Sequence, residues 1–237
     1  PDPRSMIARL HRAGVRLMLW VSPYAEVGCA APYARDALIG TGEYQATDLT
    51  NREARNTFEG RLQDLVTLGV DGFKADRGDE IDFERTALAD GRGDDIHNLY
   101  PELFARSIAS AVSSSAEHDF VSLFRAGAAG SRKLVSAVWA GDQKGTPAGL
   151  RAAVRMGQTA GLAGFPVWGS DVGGYGSASP PVTTETFARW AQLGAVSPIM
   201  EIGGEGPNAR PWELGPVAMT ALRAAATLHY ELFPHHY

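Results

Sequence analysis

One cysteine, Cys29, stands in a chain of 237 residues. A lone thiol cannot close an internal disulfide, so a small disulfide-stapled fold is excluded. No apolar run reaches the roughly 18 to 20 residues that a membrane-spanning helix needs. Positive charge is not in excess, since 22 Lys and Arg against 27 Asp and Glu leave a net charge of −5. Without a basic surplus, nucleic acid is not expected as a partner. No glycine-rich phosphate turn follows the first strand-like run, which weighs against a doubly wound nucleotide-binding sheet. His97, His118 and the terminal His235-His236 lack metal-ligand spacing and read as surface residues. Low-complexity tracts and short repeats are absent, and the opening residues show no signal-peptide pattern.

What is present is a hydrophobic content of 44%, enough for one large domain with a substantial core. Helix-period and strand-like segments alternate along it. Met6 to Ala13 reads as a helix ending at Gly14. Val15 to Val21 is near-continuously apolar, as in a strand covered on both faces. Helices are then expected at 52–68, 100–113, 150–163, 184–193 and 216–233. Further strands are expected at 70–75, 120–124, 134–139, 165–168 and 196–202. The segments 24–50, 77–97, 140–149, 169–183 and 203–212 read as loops.

This alternation implies parallel strands joined by right-handed crossovers. Long polar loops follow the strands, whereas the returns from helix to strand are short. That asymmetry predicts an α/β fold, a (β/α)8 barrel with its site at the C-terminal ends of the strands. Six strands are legible in residues 1–237. The abrupt Pro1-Asp2-Pro3 opening leads to the expectation that two more precede residue 1.

Each predicted strand tip carries chemistry. The first offers Trp20. The second offers Lys74 and Asp76, two residues apart and therefore on one face. Next come Arg125, then Trp139 and Asp142, then Trp168 and Asp171, then Glu201 and Glu205. Aromatic faces beside charged groups at one rim suit a sugar, whose ring stacks while its hydroxyls meet the charges. Two carboxylates at strand ends are also how barrel enzymes build a catalytic acid pair. The plainer uses stand beside this. An Asp after a strand is most often a helix N-cap or turn former. Lys74 and Asp76 could be a structural ion pair, because an unpaired buried ammonium is costly. Taken alone, Trp20 and Trp139 are better read as core than as platforms.

Several segments, in order, resemble glycoside hydrolase family 31, the retaining α-glycosidases. Residues 69–80, Gly-Val-Asp-Gly-Phe-Lys-Ala-Asp-Arg-Gly-Asp-Glu, resemble that family's nucleophile segment. Phe124-Arg125-Ala126-Gly127 with Trp139-Ala140-Gly141-Asp142 resembles its acid/base segment. Trp168 to Gly174, the Pro1-Asp2-Pro3 helix and Tyr230 to Pro234 are similar to further family segments. The resemblance implies that Asp76 is the nucleophile and Asp142 the general acid and base. For a retaining pair, those carboxyls lie about 5 to 5.5 Å apart. It implies that Lys74 and Arg125 supply positive charge beside Asp76 and bind hydroxyls. Trp20 and Trp139 would line the site of the cleaved sugar, and Asp171 would support it. Asp142 is expected in a drier setting that lets it hold its proton. No metal or organic cofactor is implied.

Departures from the family pattern fall at Arg77, at Ser170, and at Glu201 and Gly203, which stand where an Arg and a hydroxyl-binding His are common. They indicate a changed sugar shell. The family's flanking β-domains have no counterpart here, so residues 1–237 are expected to be a partial catalytic barrel domain. The expected partner is a carbohydrate substrate, with a homo-oligomer possible and no membrane span. The expected activity is hydrolysis of an α-linked hexose or xylose glycoside. Sulfoquinovosidase and α-transglycosidase are alternatives on the same residues. A non-catalytic carbohydrate-binding homologue is the alternative outside enzymes, and retention of both Asp76 and Asp142 argues against it. An α-galactosidase-type barrel is set aside because Asp76-Arg77-Gly78 lacks that group's aromatic and Cys.

Overall fold

A computed structural model describes residues 2–26, 37–40, 44–81, 88, 96–114, 119–176, 181–205, 208 and 210–236. Cys29, His118 and parts of the loops expected at 24–50, 77–97, 169–183 and 203–212 lie outside the described residues. The chain divides into two compact units, Pro1–Ser136 and Ala137–Tyr237. Each contains three parallel strands flanked by helices.

In the first unit, α1 (Pro3–Arg12) opens with Pro3 in its first turn and with Asp2 accepting from the Arg4 N–H at 3.1 Å. Proline suits that position because its missing N–H would have no helical partner. Strands β1 (Met18–Val21), β5 (Gly72–Ala75) and β6 (Val121–Phe124) form the parallel ladder, with Trp20 opposite Lys74 and Lys74 opposite Leu123. Helices α2 (Arg52–Thr67) and α3 (Tyr100–Ser113) pack against one another. Phe104 of α3 meets Phe58 of α2 at 5.9 Å between ring centroids and Phe124 of β6 at 5.4 Å, the latter edge to face. Phe73, Phe104 and Phe124 are fully buried. The core therefore lies on the face that carries Phe73 and Ala75. Alternation along β5 sends Lys74 and then Asp76 to the other face.

Two expectations are corrected here. The stretch 24–50 is not all loop, because β2 (Tyr24–Glu26), β3 (Leu38–Ile39) and β4 (Tyr44–Thr47) form an antiparallel sheet of order β2-β4-β3. Strands of two to four residues give too little alternation to be read against a Gly- and Pro-containing background. Nor is the first parallel strand covered on both faces. It is four residues long, only Val21 is buried, and Trp20 is 58% exposed. Among the described residues β1 pairs with β5 in this ladder.

Asp71 anchors the lower end of β5. Its carboxylate takes the Leu17 N–H at 2.8 Å, His11 Nε2 at 2.7 Å and Arg16 Nη1 at 3.1 Å, while the residue is 5% exposed. Burial is the largest influence on its pKa and pushes it up. The Leu17 N–H, His11 and Arg16 together outweigh burial and hold the carboxyl below its ordinary value. Asp71→Asn is expected to cost about 2 to 3 kcal/mol, as for charge-assisted bonds left partly unmade. Because the folded pKa is depressed, this stabilisation is fully present above the unfolded value near 3.9 and fades as pH falls through the folded one. Urea unfolding of wild type and variant should therefore differ at pH 7 and converge in acid below about pH 4.

In the second unit, β7 (Ala137–Trp139), β8 (Trp168–Asp171) and β9 (Ile199–Glu201) pair in parallel, with Trp139 opposite Gly169 and Asp171 opposite Glu201. Helices α4 (Pro147–Leu162) and α5 (Thr184–Ala195) begin at threonine caps. Thr146 accepts from the Gly149 N–H at 3.1 Å and Thr183 from the Thr186 N–H at 3.2 Å. Helix α6 (Pro216–Glu231) packs on α5. Strand β8 lies later than the expected 165–168, because Trp168 opens it and Asp171 ends it. Short 3-10 turns at Ala129–Lys133 and Pro211–Leu214 were not apparent in the sequence pattern. No described helix is long and apolar enough to cross a membrane.

Candidate active site

In the first unit, four of the expected residues converge at the strand ends. The ladder continues past β5, with the Asp76 N–H donating to Val21 O at 2.9 Å and the Arg125 N–H to Ala75 O at 3.1 Å. Asp76 and Arg125 therefore stand side by side, on the same face as Lys74 and Trp20. The Asp76 carboxylate is held at both oxygens. Oδ2 accepts the Trp20 indole N–H at 2.8 Å. Oδ1 meets Arg125 Nη1 at 3.0 Å and accepts the Arg77 backbone N–H at 2.7 Å. A carboxylate fixed by three donors cannot rotate freely, which is what a nucleophile aimed at one carbon requires.

Arg77 reaches that position at a backbone cost. Its φ of 66° is left-handed, a conformation that costs a non-glycine residue about 1 to 2 kcal/mol. The contacts on its side chain offset the strain. The guanidinium lies 4.2 Å over the Tyr24 ring and pairs with Glu80. Burial pushes the Tyr24 hydroxyl up, and the neighbouring Arg77 only partly opposes it, so Tyr24 is a neutral ring at physiological pH. The departure at position 77 thus has a local reason, because this arginine is clamped between Tyr24 and Glu80.

Arg125 is the hub of the charges, its side chain 13% exposed. Besides Asp76 it meets Asp79 Oδ1 through Nε at 3.1 Å and Nη2 at 2.8 Å, and Glu80 Oε2 at 3.2 Å. Burial pulls its pKa down, but the Asp79 hydrogen bond and the charges of Asp76, Asp79 and Glu80 outweigh this and leave it raised. Asp79 and Glu80 were not expected as site residues, although they close the nucleophile-like segment 69–80.

In the second unit, Asp142 is exposed and Trp139 is buried, at 3%. The exposure of Asp142 differs from the drier setting expected of it. Burial of Trp139 accords with its plainer reading as a core residue. Of the two tryptophans, Trp20 is the one with an open face. The Asp142 loop is tied down by backbone. Gln143 O accepts the Tyr175 N–H at 2.9 Å, and Gln143 Nε2 donates to Ala140 O at 2.9 Å. Buried Asn208 donates to Gly173 O and Gly174 O, both at 2.8 Å. The loops after β7 and β8 therefore hold each other. Asn208 was missed because a lone Asn in a loop carries no pattern.

Gly174 makes that contact feasible. Its φ is 77°, and a Cβ there would lie 2.6 Å from Gln143 O and 2.9 Å from Gly145 N. Gly174→Ala is expected to shift the Asp142 loop, lowering kcat about tenfold or more for an active protein. Strain of about 1 to 2 kcal/mol should also lower the melting temperature by a few degrees. Paired kinetics and melting would check it, with the loss of kcat the larger effect.

Asp171, 2% exposed, ends β8 beside Glu201. A Cβ at Gly203 would lie 2.2 Å from Asp171 Oδ1. A His at 203 would require Asp171 to turn aside, which gives a steric account of the glycine. Ser170 does not belong to this shell. Its hydroxyl accepts the Trp190 N–H of α5 at 2.9 Å, and the residue is 3% exposed. Its departure is a matter of packing against a helix rather than of sugar binding, which corrects the earlier expectation. Trp168 likewise faces α4, where a Cβ on Gly157 would meet its ring at 2.8 Å. Among the described residues, no group of three His, Cys, Asp or Glu side chains could hold a metal ion.

The alternating parallel strands and helices are those of a partial (β/α)8 barrel. The model of the glycosyl hydrolases family 31 TIM-barrel domain matches residues 1–237, and the chain belongs to that family. It is 29% identical to an alpha-xylosidase of Emericella nidulans, over 99% of this chain and 32% of that protein. It is 32% identical to a 1,3-alpha-isomaltosidase of Kribbella flavida, over 86% of this chain and 31% of that protein. Among solved structures, the cycloalternan-degrading enzyme from Trueperella pyogenes in complex with a covalent intermediate superposes with a TM-score of 0.84 at 26% identity. That match covers 100% of this chain and 37% of the other. The chain thus spans about a third of the length of the curated relatives it matches.

Proposed function

We propose that this chain carries the catalytic carboxylates of a retaining α-glycoside hydrolase acting on an α-linked hexose or xylose glycoside. One Asp76 oxygen attacks the anomeric carbon, while Asp142 gives its proton to the departing glycosidic oxygen. The C–O bond breaks and a glycosyl ester forms on Asp76. Asp142, now a carboxylate, takes a proton from water, whose oxygen attacks the same carbon and releases Asp76. A sugar seated against Asp142 would exclude water from it and give it the drier setting a general acid needs. Trp20 stacks beside the cleaved sugar, while Lys74, Arg125 and Asp171 meet its hydroxyls. When a sugar hydroxyl replaces water in the second step, the same residues perform transglycosylation.

The observation that carries this reading is the Asp76 carboxylate fixed by Trp20, Arg125 and the Arg77 N–H. Support also comes from the alpha-xylosidase relative and from the neighbour solved with a covalent intermediate. The test is labelling of the full-length protein with 5-fluoro-α-xylosyl, glucosyl and galactosyl fluorides, followed by peptide mass spectrometry. Label on the peptide holding Asp76 supports the reading and points to the sugar. Absence of label with every sugar, together with no hydrolysis of matching aryl α-glycosides, counts against it and favours a binding homologue.

A further inference from the structure

Arg125 divides its guanidinium unequally among three carboxylates. Nη1 alone faces Asp76, at 3.0 Å. The opposite edge, Nε and Nη2, closes on one oxygen of Asp79 at 3.1 and 2.8 Å. Glu80 adds one longer contact, 3.2 Å from Nη2. An arginine side chain loses up to about 2 kcal/mol of rotamer entropy when it is fixed. Without Asp79, Nη1 on Asp76 and the one longer Glu80 contact would hold the guanidinium plane less firmly. Two N–H groups closing on one oxygen fix both the plane and the direction in which Nη1 points. Asp79, as a carboxylate, has no proton to donate to Asp76, so its influence on that group runs through Arg125.

We propose that Asp79 is a positioning residue, holding the Arg125 guanidinium so that Nη1 stays on Asp76 as negative charge returns to that carboxylate. The inference rests on the reading of Asp76 as nucleophile. In the second step the ester bond between the sugar carbon and Asp76 breaks, its electron pair returns to Asp76, and water supplies the new bond. A guanidinium already aimed at Oδ1 stabilises that returning charge without having to reorganise. Formation of the ester has the opposite demand, because charge leaves Asp76. Asp79 therefore favours breakdown of the intermediate over its formation. Exposure does not forbid the role, because Arg125 is largely buried even though the Asp79 side chain is 48% exposed.

The test uses the full-length protein and the 5-fluoro-α-glycosyl fluoride that labels it best. After excess reagent is removed, the return of activity reports breakdown of the glycosyl-enzyme. Asp79→Ala is expected to slow that return about tenfold, the weight of a hydrogen bond to a charged group. With an aryl glycoside of good leaving group, kcat and KM should fall together, because the intermediate accumulates. Asp79→Asn keeps an oxygen for Nε and Nη2 and should recover to within about threefold of wild type. A wild-type rate of return in Asp79→Ala overturns the proposal, as do equal losses in the Ala and Asn variants. If Asp79→Ala does not fold, Arg125→Lys serves instead. It keeps the charge without the two-pronged grip, and a wild-type rate of return there also overturns the proposal. Label absent from Asp76 in the wild type overturns the nucleophile assignment itself. Label present with unchanged Asp79→Ala kinetics overturns this inference alone.

Discussion

Asp76→Ala is expected to lower kcat/KM for an aryl α-glycoside by on the order of 10⁵, equivalent to about 7 kcal/mol of transition-state stabilisation. The size follows from the role. Without the carboxylate no glycosyl ester forms, and the reaction must pass through an unassisted oxocarbenium-like state. The variant should remain folded. Asp76 makes its ladder bond through the backbone N–H to Val21 O, which alanine retains. Arg125 keeps Asp79 and Glu80 as partners after the change. A melting temperature within a few degrees of wild type, with activity lost and no covalent label, is therefore the expected pair of results. Activity within tenfold of wild type would sink the nucleophile assignment.

Asp142→Ala carries the second large effect, and its signature is selectivity rather than simple loss. A general acid matters most where the leaving group is a poor one. Hydrolysis of an alkyl or sugar α-glycoside should fall by about 10² to 10⁴. A dinitrophenyl α-glycoside leaves without a proton, so its first step should be little changed. Its second step still lacks a base, and the labelled intermediate should accumulate. Added azide needs no deprotonation and should restore turnover, giving an α-glycosyl azide of retained configuration. Equal losses across leaving groups, without azide rescue, would remove Asp142 from this role. Because Asp142 is exposed and its loop is held through Gln143, by the Tyr175 N–H and Ala140 O, truncating the carboxylate should leave that scaffold intact.

The parallel strands and their helices were legible because the chain changes period where it changes element. Lys74 and Asp76 could be put on one face from spacing alone, and the aromatic core on the other face of β5 confirms the alternation. Pairing could not be read. Only the register, with Trp20 opposite Lys74 and Arg125 beyond Phe124, brings Trp20 and Arg125 to Asp76 from 56 and 49 positions away. Spacing also failed where one residue of register decides the face. Placing β8 too early left Ser170 in a loop at the rim, whereas it faces Trp190 of α5. The β2-β4-β3 sheet escaped notice because its strands are too short to show alternation. Asp79 lies within a legible motif, but its grip on Arg125 depends on side-chain geometry that no one-dimensional pattern carries.

Gly203 and Asp171 have a consequence for anyone who wishes to alter what this protein recognises. With Oδ1 of Asp171 only 2.2 Å from where a Cβ would sit, the two positions form one variable rather than two. A library that randomises 203 alone would force Asp171 to turn aside in every non-glycine member. It would then report the site as intolerant, when in truth it is coupled. Varied together, with a shorter side chain at 171 for each larger one at 203, the pair opens combinations that no single-site scan can reach, and the measured non-additivity between them would be large.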